Sequence, residues 1–199
     1  MNPLSAKVYL KMIQTCKYFF AKNPILVVER LLMFSDQDLR VEHLGNNNLV
    51  DISSVAHKFW IIRKFSNYFC DPVSNFVSFV IPRFYQCDAK FLLLQKQILT
   101  LNEFLFLSSN VEDITLNCTT IKNEDDTVIA FEEIVKVIPK VKHIIFHENV
   151  PHKITKNTMK ELLKIPHFSK IDKICFYDIT EDFDIETFYT YFKVQFYII

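Results

Sequence analysis

The chain has a single glycine, Gly45, among its 199 residues. Loops that cradle phosphate groups, and the sharp turn that presents a nucleophilic serine, both need glycine because the backbone turns tightly or approaches a ligand closely there. The scarcity of glycine therefore excludes the common nucleotide-binding and α/β-hydrolase sites in their usual form. Enzymes whose sites need no glycine stay open.

The sequence also lacks an excess of charge of one sign and a long apolar run. Lysine plus arginine and aspartate plus glutamate number 23 each. A nucleic-acid-binding surface needs clustered basic residues, so we expect no nucleic-acid partner. No apolar run approaches the roughly 18 residues of a membrane-spanning helix, and the first residues do not read as a secretory signal. We therefore expect a cytoplasmic or nuclear protein without a membrane partner.

Cysteines are few, and their number is odd. This usage is typical of buried free thiols in a reducing compartment, not of a disulfide framework. A thiol enzyme with a cysteine nucleophile and a histidine base is one alternative, although no local motif marks any of the thiols as reactive. The five cysteines are widely spaced: Cys16, Cys70, Cys87, Cys118 and Cys175.

Two groups of residues invite a metal-binding interpretation. His143, His147 and His152 lie close together in the sequence. If residues 141–147 form a strand, histidines four residues apart are separated by about 13 Å, too far to share an ion bound at about 2.1 Å. The acidic run 124–126 lacks the ligand spacing and the turn glycine of a calcium loop. We expect no metal ion, no cofactor and no catalytic residue.

What the second half does contain is a weak repeat. Three copies lie 30 residues apart: Val111-x-x-Ile114-x-Leu116, Val141-x-x-Ile144-x-Phe146 and Ile171-x-x-Ile174-x-Phe176. Each copy follows apolar residues at helical spacing, so the repeat predicts stacked helix–strand units. Strands joined by crossover helices pair in parallel. We therefore expect an α/β fold with a short, curved parallel sheet backed by helices at residues 86–199.

The first part of the chain shows a different pattern. Residues 5–20 carry apolar side chains at spacings of three and four, which predicts one helix within residues 1–24. A polar segment, 35–54, contains Gly45 followed by three asparagines and predicts a loop or a small hairpin. The apolar residues after it fit a capped helix through Val55, Phe59, Trp60 and Ile62. We therefore expect residues 25–85 to be mainly helical.

Local signals refine the helix–strand units. A strand is predicted from Phe91 to Leu94. Thr100-x-x-Glu103 and Thr158-x-x-Glu161 match the capping box that starts a helix. Pro139 and Pro166 lie where a helix should give way to the next strand. A final helix is predicted from Ile185, followed by a terminal strand at 194–199.

The repeat also predicts which side chains share a face. Side chains alternate along a strand, so if the repeated apolar residues face the helices, three rows lie on the opposite side. Their mixed polar, aromatic and apolar character suits a partner-binding face. Two alternatives stay open: the helical first half covers these rows, or they form a solvated sheet surface. The rows are Asp113, Thr115 and Asn117; His143, Ile145 and His147; and Lys173, Cys175 and Tyr177.

The segment from Leu4 to Phe19, LSAKVYLKMIQTCKYF, resembles the second half of an F-box. In that motif a Leu-Ser/Thr-x-Lys/Asp helix start leads to a Cys-Lys-x-Phe/Trp ending, here residues 16–19. The helix–strand units behind it resemble the divergent leucine-rich repeats that follow F-boxes, in the style of families expanded in nematodes. The Leu-Pro-x-Glu helix that opens the F-box is missing from this sequence.

The resemblance implies a non-catalytic substrate receptor of a cullin-type ubiquitin ligase. Its N-terminal helix would bind the ligase adaptor, and its repeat sheet would select the protein substrate. An alternative of the same architecture is a leucine-rich-repeat-like scaffold or effector that binds a protein partner without a ligase role. The residues that match the adaptor-binding positions are Leu4, Val8, Met12 and Ile13.

Overall fold

The computed structural model of the chain describes residues 5–35, 38–43, 45–68, 74–147, 154–178 and 183–192. These residues form a mixed α/β fold around one mostly parallel sheet. The strands are β1 (Ile25–Met33), β2 (Leu39–His43), β3 (Asn46–Asp51), β4 (Lys58–Asn67), β5 (Phe84–Cys87), β6 (Phe91–Gln95), β7 (Ile98–Thr100), β8 (Asp113–Asn117), β9 (Thr120–Lys122), β10 (His143–His147) and β11 (Lys173–Tyr177). The helices are α1 (Ala6–Thr15), α2 (Lys17–Lys22), α3 (Phe76–Val80), α4 (Leu101–Ser108), α5 (Phe131–Lys136), α6 (Thr158–Leu162) and α7 (Ile185–Phe192).

Nine of the described strands form one open sheet. Its order is β11-β10-β8-β6-β4-β1-β2-β3, with β5 also paired to β4. The strands from β11 to β1 run parallel, whereas β2 and β3 add an antiparallel hairpin at one end. A separate parallel pair is made by β7 and β9. The parallel sheet predicted for the second half is confirmed, and the curvature expected of a leucine-rich repeat stays a prediction.

The thirty-residue repeat corresponds to three strands in perfect register. Ile114 in β8 pairs with Ile144 in β10, which pairs with Ile174 in β11. The first residue of each copy lies just before its strand and is buried. Helices α5 and α6 precede β10 and β11, and Pro139 and Pro166 both follow the end of a helix, as predicted. The constant spacing of the three copies in the sequence therefore places equivalent residues side by side in neighbouring strands.

The predicted helix starts differ in outcome. Thr100 and Glu103 form the expected capping box at the start of α4. The capping box at Thr158 is wrong, because the N-cap of α6 is Asn157. The Thr158 hydroxyl is engaged elsewhere: it accepts from the N–H of Thr155 and donates to Glu132 in α5. Helix α7 confirms the helix predicted from Ile185, and the predicted strand at 194–199 lies outside the described residues.

The prediction that residues 25–85 are mainly helical is wrong. The predicted helix through Trp60 is strand β4, and β1, β2 and β3 precede it. Phe59, Trp60 and Ile61 are all fully buried although they point alternately to the two faces of the sheet. A strand buried on both faces loses the alternation that identifies a strand, and periodicity alone then fails to distinguish it from a helix. Within 35–54 the small hairpin is confirmed, with Gly45 at a positive φ of 76° in its turn.

The N-terminal helix is confirmed with a break. Ser5 caps α1, and Cys16 adopts an extended conformation that separates α1 from α2. Helix α2 stops at Asn23, as the Asn23-Pro24 pair predicts. The chain then enters β1 directly, so the helices and the sheet are joined without a linker.

Two apolar clusters lie on opposite faces of the sheet. The main core extends from β1 to α7 and includes α3 to α6. A smaller cluster lies on the other face and joins α1 to the start of β1 and β4. Its buried members are Tyr9, Ile25, Val27 and Trp60. Strands from both sides of residue 86 thus share one sheet and one main core.

Candidate protein-binding face

The strands β6, β8, β10 and β11 present one surface away from the main core, which we call the outer face. Its side chains alternate with those of the core: Ile114, Ile144 and Ile174 are buried, and Leu116 and Phe146 one step further are buried as well. Phe176 keeps partial exposure but packs with its ring 5.1 Å from that of Phe131 in the core. Burial follows the predicted division of the repeat between two faces in β8 and β10, whereas in β11 Cys175 is buried and Phe176 is partly exposed. The outer face consists of Phe91, Leu93, Gln95, Asp113, Thr115, Asn117, His143, Ile145, His147, Lys173, Cys175 and Tyr177.

Eight of the nine side chains predicted for this face retain solvent exposure. The exception is Cys175, which is buried at 9% exposure. Its side chain is short and lies beside the longer Ile145 in β10 and Tyr177 in its own strand. Cys175 therefore fills the space between its neighbours, and we remove it from the set of contact residues.

One row of the outer face carries most of its charge. The register places Lys64, Phe91, Asp113, His143 and Lys173 side by side across five strands. Nδ1 of the His143 ring contacts a carboxylate oxygen of Asp113. A shallow groove of about 160 Å³ follows this row. The row combines both signs of charge with an exposed phenyl ring, which suits recognition of a mixed polar and apolar surface.

The row at the carboxyl ends of the strands is more aromatic. The rings of His147 and Tyr177 stack with centroids 4.2 Å apart and an angle of 14° between their planes. Asp178 lies 3.9 Å from the imidazole. Stacked rings lose little conformational freedom on binding, and aromatic side chains supply much of the energy at interfaces.

A ladder of alternating charges lines the amino ends of the same strands. Glu112 accepts from Lys90 at 2.9 Å and from Lys142 at 2.6 Å, so one carboxylate bridges two neighbouring units. These hydrogen bonds and the two positive charges lower the pKa of Glu112 to about 2. Sequence reasoning missed the ladder, although Glu112 and Lys142 each follow the first apolar residue of a repeat copy. The ladder links the segments that precede β6, β8 and β10 through one carboxylate.

Replacing Glu112 by glutamine should change how stability depends on pH. Because folding lowers the pKa of Glu112, the carboxylate stabilises the fold above its ordinary value of 4.5, and this stabilisation disappears as the pH falls towards about 2. Thermal unfolding of both proteins should show a lower melting temperature for Glu112→Gln at neutral pH and convergence near the acid end. Glu124→Gln, in an exposed loop outside the ladder, should follow the unsubstituted protein at every pH. A constant difference across the range would contradict the ladder.

A second ladder anchors the smaller cluster to the repeat units. Trp60 Nε1 donates to Asp88 at 2.7 Å, and Asn110 donates to the same carboxylate at 3.0 Å. Lys140 then donates to the side-chain amide oxygen of Asn110, Oδ1, at 2.6 Å. Asn110 and Lys140 lie 30 residues apart, like the repeat itself. Through these hydrogen bonds the second ladder links β4 to the repeat units, and the first ladder links the repeat units to one another.

Helix α1 covers part of the sheet surface on the same side as the outer face. The phenol of Tyr9 donates to the carbonyl oxygen of Asn23 at 2.7 Å and accepts from the N–H of Ile25 at 3.2 Å. Its ring lies 6.5 Å from that of Trp60 in β4. The alternative that helices cover this side is therefore correct for β1, β4 and β5, where the cluster lies. The exposed residues of β8, β10 and β11 lie beyond that cluster.

The four residues matched to the adaptor-binding positions do not act together. Leu4 lies outside the described residues. Ile13 packs against the cluster around Trp60, so the fold itself uses this residue. Val8 is 46% exposed and Met12, one helical turn later, is half-buried. Neither Val8 nor Met12 is a member of that cluster.

Of the described cysteines, Cys87 and Cys175 are buried, whereas Cys118 is partly exposed and Cys16 is exposed, so the expectation of buried thiols is wrong for Cys16. Burial raises the pKa of the Cys87 thiol to about 12, which removes it as a nucleophile at neutral pH. In the part of the chain that the structure describes, no three side chains of histidine, cysteine, aspartate or glutamate are placed to hold a metal ion. His152 and Cys70 lie outside that part.

The acidic run 124–126 forms an exposed turn. Asp125 accepts from the backbone and the hydroxyl of Thr127, and these bonds lower the pKa of its carboxyl group. Lys122 pairs with Asp126 at 3.2 Å. An open depression of about 360 Å³ lies between this turn and the start of α4. Leu101 is the one apolar residue among the six that line it.

Comparisons of the chain with models of protein families, with curated proteins and with solved structures find no match. None of the described helices has the length and the apolar character needed to cross a lipid bilayer.

Proposed function

We propose that this protein is a non-catalytic module that binds a protein partner through the outer face. The observation that carries the proposal is the register of β8, β10 and β11, which aligns eight of the predicted side chains in rows, with Lys173 exposed and the other seven partly exposed. Aromatic, aliphatic and charged groups alternate there, as they do at protein interfaces.

The shape of the outer face favours a macromolecule over a small ligand. Small-molecule sites are concave and enclose about 300–1,000 Å³. The groove along Asp113 and His143 encloses about 160 Å³ and is open. Four strands of five residues span about 300 Å², which is less than the roughly 800 Å² that one partner buries in a standard interface. The outer face is therefore the centre of an interface whose rim extends onto neighbouring loops.

The units that carry this face are leucine-rich-repeat-like in our proposal. Each contributes one short parallel strand, and each strand is in register with the next. The residue that follows the strand has a positive φ in three units, at Lys96, Cys118 and Asp178. A left-handed residue thus follows β6, β8 and β11 at the same point, and the residue after β10 lies outside the described part of the chain. Regular stacking of this kind builds the extended binding surfaces of repeat proteins.

The F-box resemblance extends the proposal to a substrate receptor of a cullin-type ubiquitin ligase in the cytoplasm or nucleus. In this version α1 binds the ligase adaptor through Val8 and Met12 while the outer face holds the substrate. The supporting observation is that neither of these two apolar residues belongs to the cluster that holds α1 on the sheet. A pull-down of the full chain with purified adaptor and cullin decides between this version and a scaffold. Recovery of neither protein rejects the ligase role and leaves the scaffold.

Replacing Ile145 by aspartate should abolish partner binding while leaving the fold intact. Ile145 lies in the middle row, on the face away from the core, so a carboxylate there disrupts an apolar contact without entering the core. We expect quantitative pull-downs to lose, by at least about tenfold, the proteins that the unsubstituted chain enriches. The matched control is Leu105→Asp, a leucine at the exposed surface of α4 on the helical side.

The control and the stability measurement make this test decisive. Leu105→Asp should keep the enriched proteins, and both variants should keep the thermal unfolding curve of the unsubstituted chain. A large loss of stability in Ile145→Asp would show that this face is core, and equal capture by Ile145→Asp and the unsubstituted chain would place the interface elsewhere. Either result contradicts the proposal.

A further inference from the structure

The charged row of the outer face, from Lys64 to Lys173, has a lysine without a carboxylate partner at each end. Lys173 in β11 is exposed, and it takes part in none of the ion pairs among the residues that the structure describes. Nζ of Lys64 in β4 donates to the neutral hydroxyl of Tyr68 at 3.4 Å. The acid of the row, Asp113, is already in contact with His143. Positive charge is therefore left at both ends of the row.

Helices α1 and α2 add a basic region on the same side of the sheet. Residues 5–28 contain four lysines and no aspartate or glutamate, and all four lysines are exposed. Helix α1 packs over Trp60 and Ile62, which precede Lys64 on the same face of β4. The equal numbers of acidic and basic residues in the whole chain therefore conceal a local excess of positive charge beside the charged row. The four helical lysines are Lys7, Lys11, Lys17 and Lys22.

The arginines indicate which kind of anion fits this side. Arginine binds phosphate through two parallel N–H bonds, whereas lysine is a compact point charge. All four guanidinium groups of the chain are engaged internally, three with carboxylates and one with backbone carbonyl oxygens. The cations left without a carboxylate are therefore lysines, which favours carboxylates over the phosphates of a nucleic acid. The arginines are Arg30, Arg40, Arg63 and Arg83.

The groove along the row favours a polypeptide segment over a flat surface. It encloses about 160 Å³ and is lined by Lys64, Phe91 and His143 among others. The ring of Phe91 is 42% exposed there. A bilayer surface is flat, whereas an extended chain directs alternate side chains into a groove.

We propose that the charged row binds an extended acidic segment of the protein partner, which lies across the strands. Because this names the chemistry of the partner at the outer face, it rests on the proposed function. Lys64 and Lys173 lie four strand spacings apart, about 19 Å, which an extended chain spans in about six residues. Carboxylates six positions apart then meet the two lysines, and an apolar side chain between them packs on Phe91. The lysines of α1 and α2 attract such a segment from solution.

Fluorescence anisotropy with the full chain and a labelled peptide tests the proposal. The peptide is a run of serines that carries two glutamates six positions apart and one leucine between them. We expect a dissociation constant of about 10–100 µM, and Lys64→Glu and Lys173→Glu should each weaken binding at least about fivefold. The double variant should instead prefer the same peptide with lysines in place of the glutamates. Lys160→Glu, at an exposed lysine of α6 on the helical side, should keep the affinity of the unsubstituted chain.

Four results would overturn the proposal. One is equal affinity of the unsubstituted chain for the glutamate and lysine peptides, and another is a loss in Lys160→Glu as large as that in Lys64→Glu. If phosphatidylserine vesicles displace the labelled peptide at a lower concentration of negative charge than unlabelled peptide does, the row serves a membrane surface. The same result with a single-stranded oligonucleotide assigns the row to a nucleic acid. Circular dichroism of each variant shows that its fold is intact.

Failure of the acidic segment is distinguishable from failure of the proposed function. Peptide binding is measured on the purified chain, whereas Ile145→Asp is measured by the capture of partner proteins. Loss of capture in Ile145→Asp with unchanged peptide binding in both lysine variants overturns the acidic segment and leaves the proposed function. Retained capture in Ile145→Asp with weakened peptide binding in the lysine variants overturns the proposed function and leaves the acidic segment.

Discussion

Replacing Phe146 by alanine should lower the free energy of unfolding by about 3–5 kcal/mol. Phe146 in β10 is fully buried, and its ring lies 4.8 Å from Phe131 in α5 and 6.4 Å from Phe176 in β11. Removing the ring reduces the apolar area buried in the core and leaves a cavity between β10, α5 and β11. Urea denaturation should show a lower midpoint with an unchanged slope.

The matched control for this prediction is Phe79→Ala. Phe79 in α3 is 68% exposed, so its removal should change the free energy of unfolding by less than about 0.5 kcal/mol. A loss below about 1 kcal/mol for Phe146→Ala would mean that the repeat units do not pack through this ring. The prediction therefore tests the core side of the repeat, independently of any partner.

Replacing Trp60 by alanine should also cost about 3–5 kcal/mol, and it should release α1 from the sheet. The indole is fully buried, 5.4 Å from the ring of Tyr85, and its Nε1 donates to Asp88. Trp60 is the central member of the smaller cluster, and that cluster is what holds α1. Denaturation followed by circular dichroism measures the loss, since Trp60 is the only tryptophan and the variant lacks its fluorescence.

Limited proteolysis tests the release of α1 separately from global stability. Trp60→Ala should be cut within residues 6–22 while the sheet remains resistant. Tyr9→Phe is the conservative companion: it keeps the ring but loses the bond to Asn23, which should cost about 1 kcal/mol. Protection of α1 in Trp60→Ala equal to that in the unsubstituted chain would show that other contacts hold the helix.

The difference between what could and could not be predicted from the sequence follows from burial. The strands β8, β10 and β11 have one buried and one exposed face, so Ile114, Ile144 and Ile174 alternate with more polar residues and the pattern is readable. In β4 the apolar residues are continuous because α1 covers the second face. Whether a helix that is distant in sequence packs over a strand depends on the tertiary structure, and the local sequence pattern does not show it.

The site shows the same limit. The rows of the outer face could be assigned from alternation, and eight of the nine predicted residues keep at least partial solvent exposure. The Glu112 ladder could not be predicted, because it depends on which lysines lie beside Glu112 once the strands are paired. The burial of Cys175 could not be predicted either, because it depends on the size of the neighbouring side chains. In α1 the same apolar stripe that suggested an adaptor-binding helix contributes Ile13 to the fold. Apolar periodicity identifies a contact surface but not whether the contact is within the chain.

The in-register parallel pairing of the repeat strands is the central claim, and methyl NMR of a sample labelled only at isoleucine δ-methyls tests it most directly. The account predicts cross-peaks from Ile144 to both Ile114 and Ile174, which pair with it in neighbouring strands. Ile145 should show none to these three, because its methyl lies on the opposite face of the sheet. Cross-peaks from Ile145 to Ile114 or Ile174, or none between Ile144 and Ile174, would contradict the register and the outer face built on it.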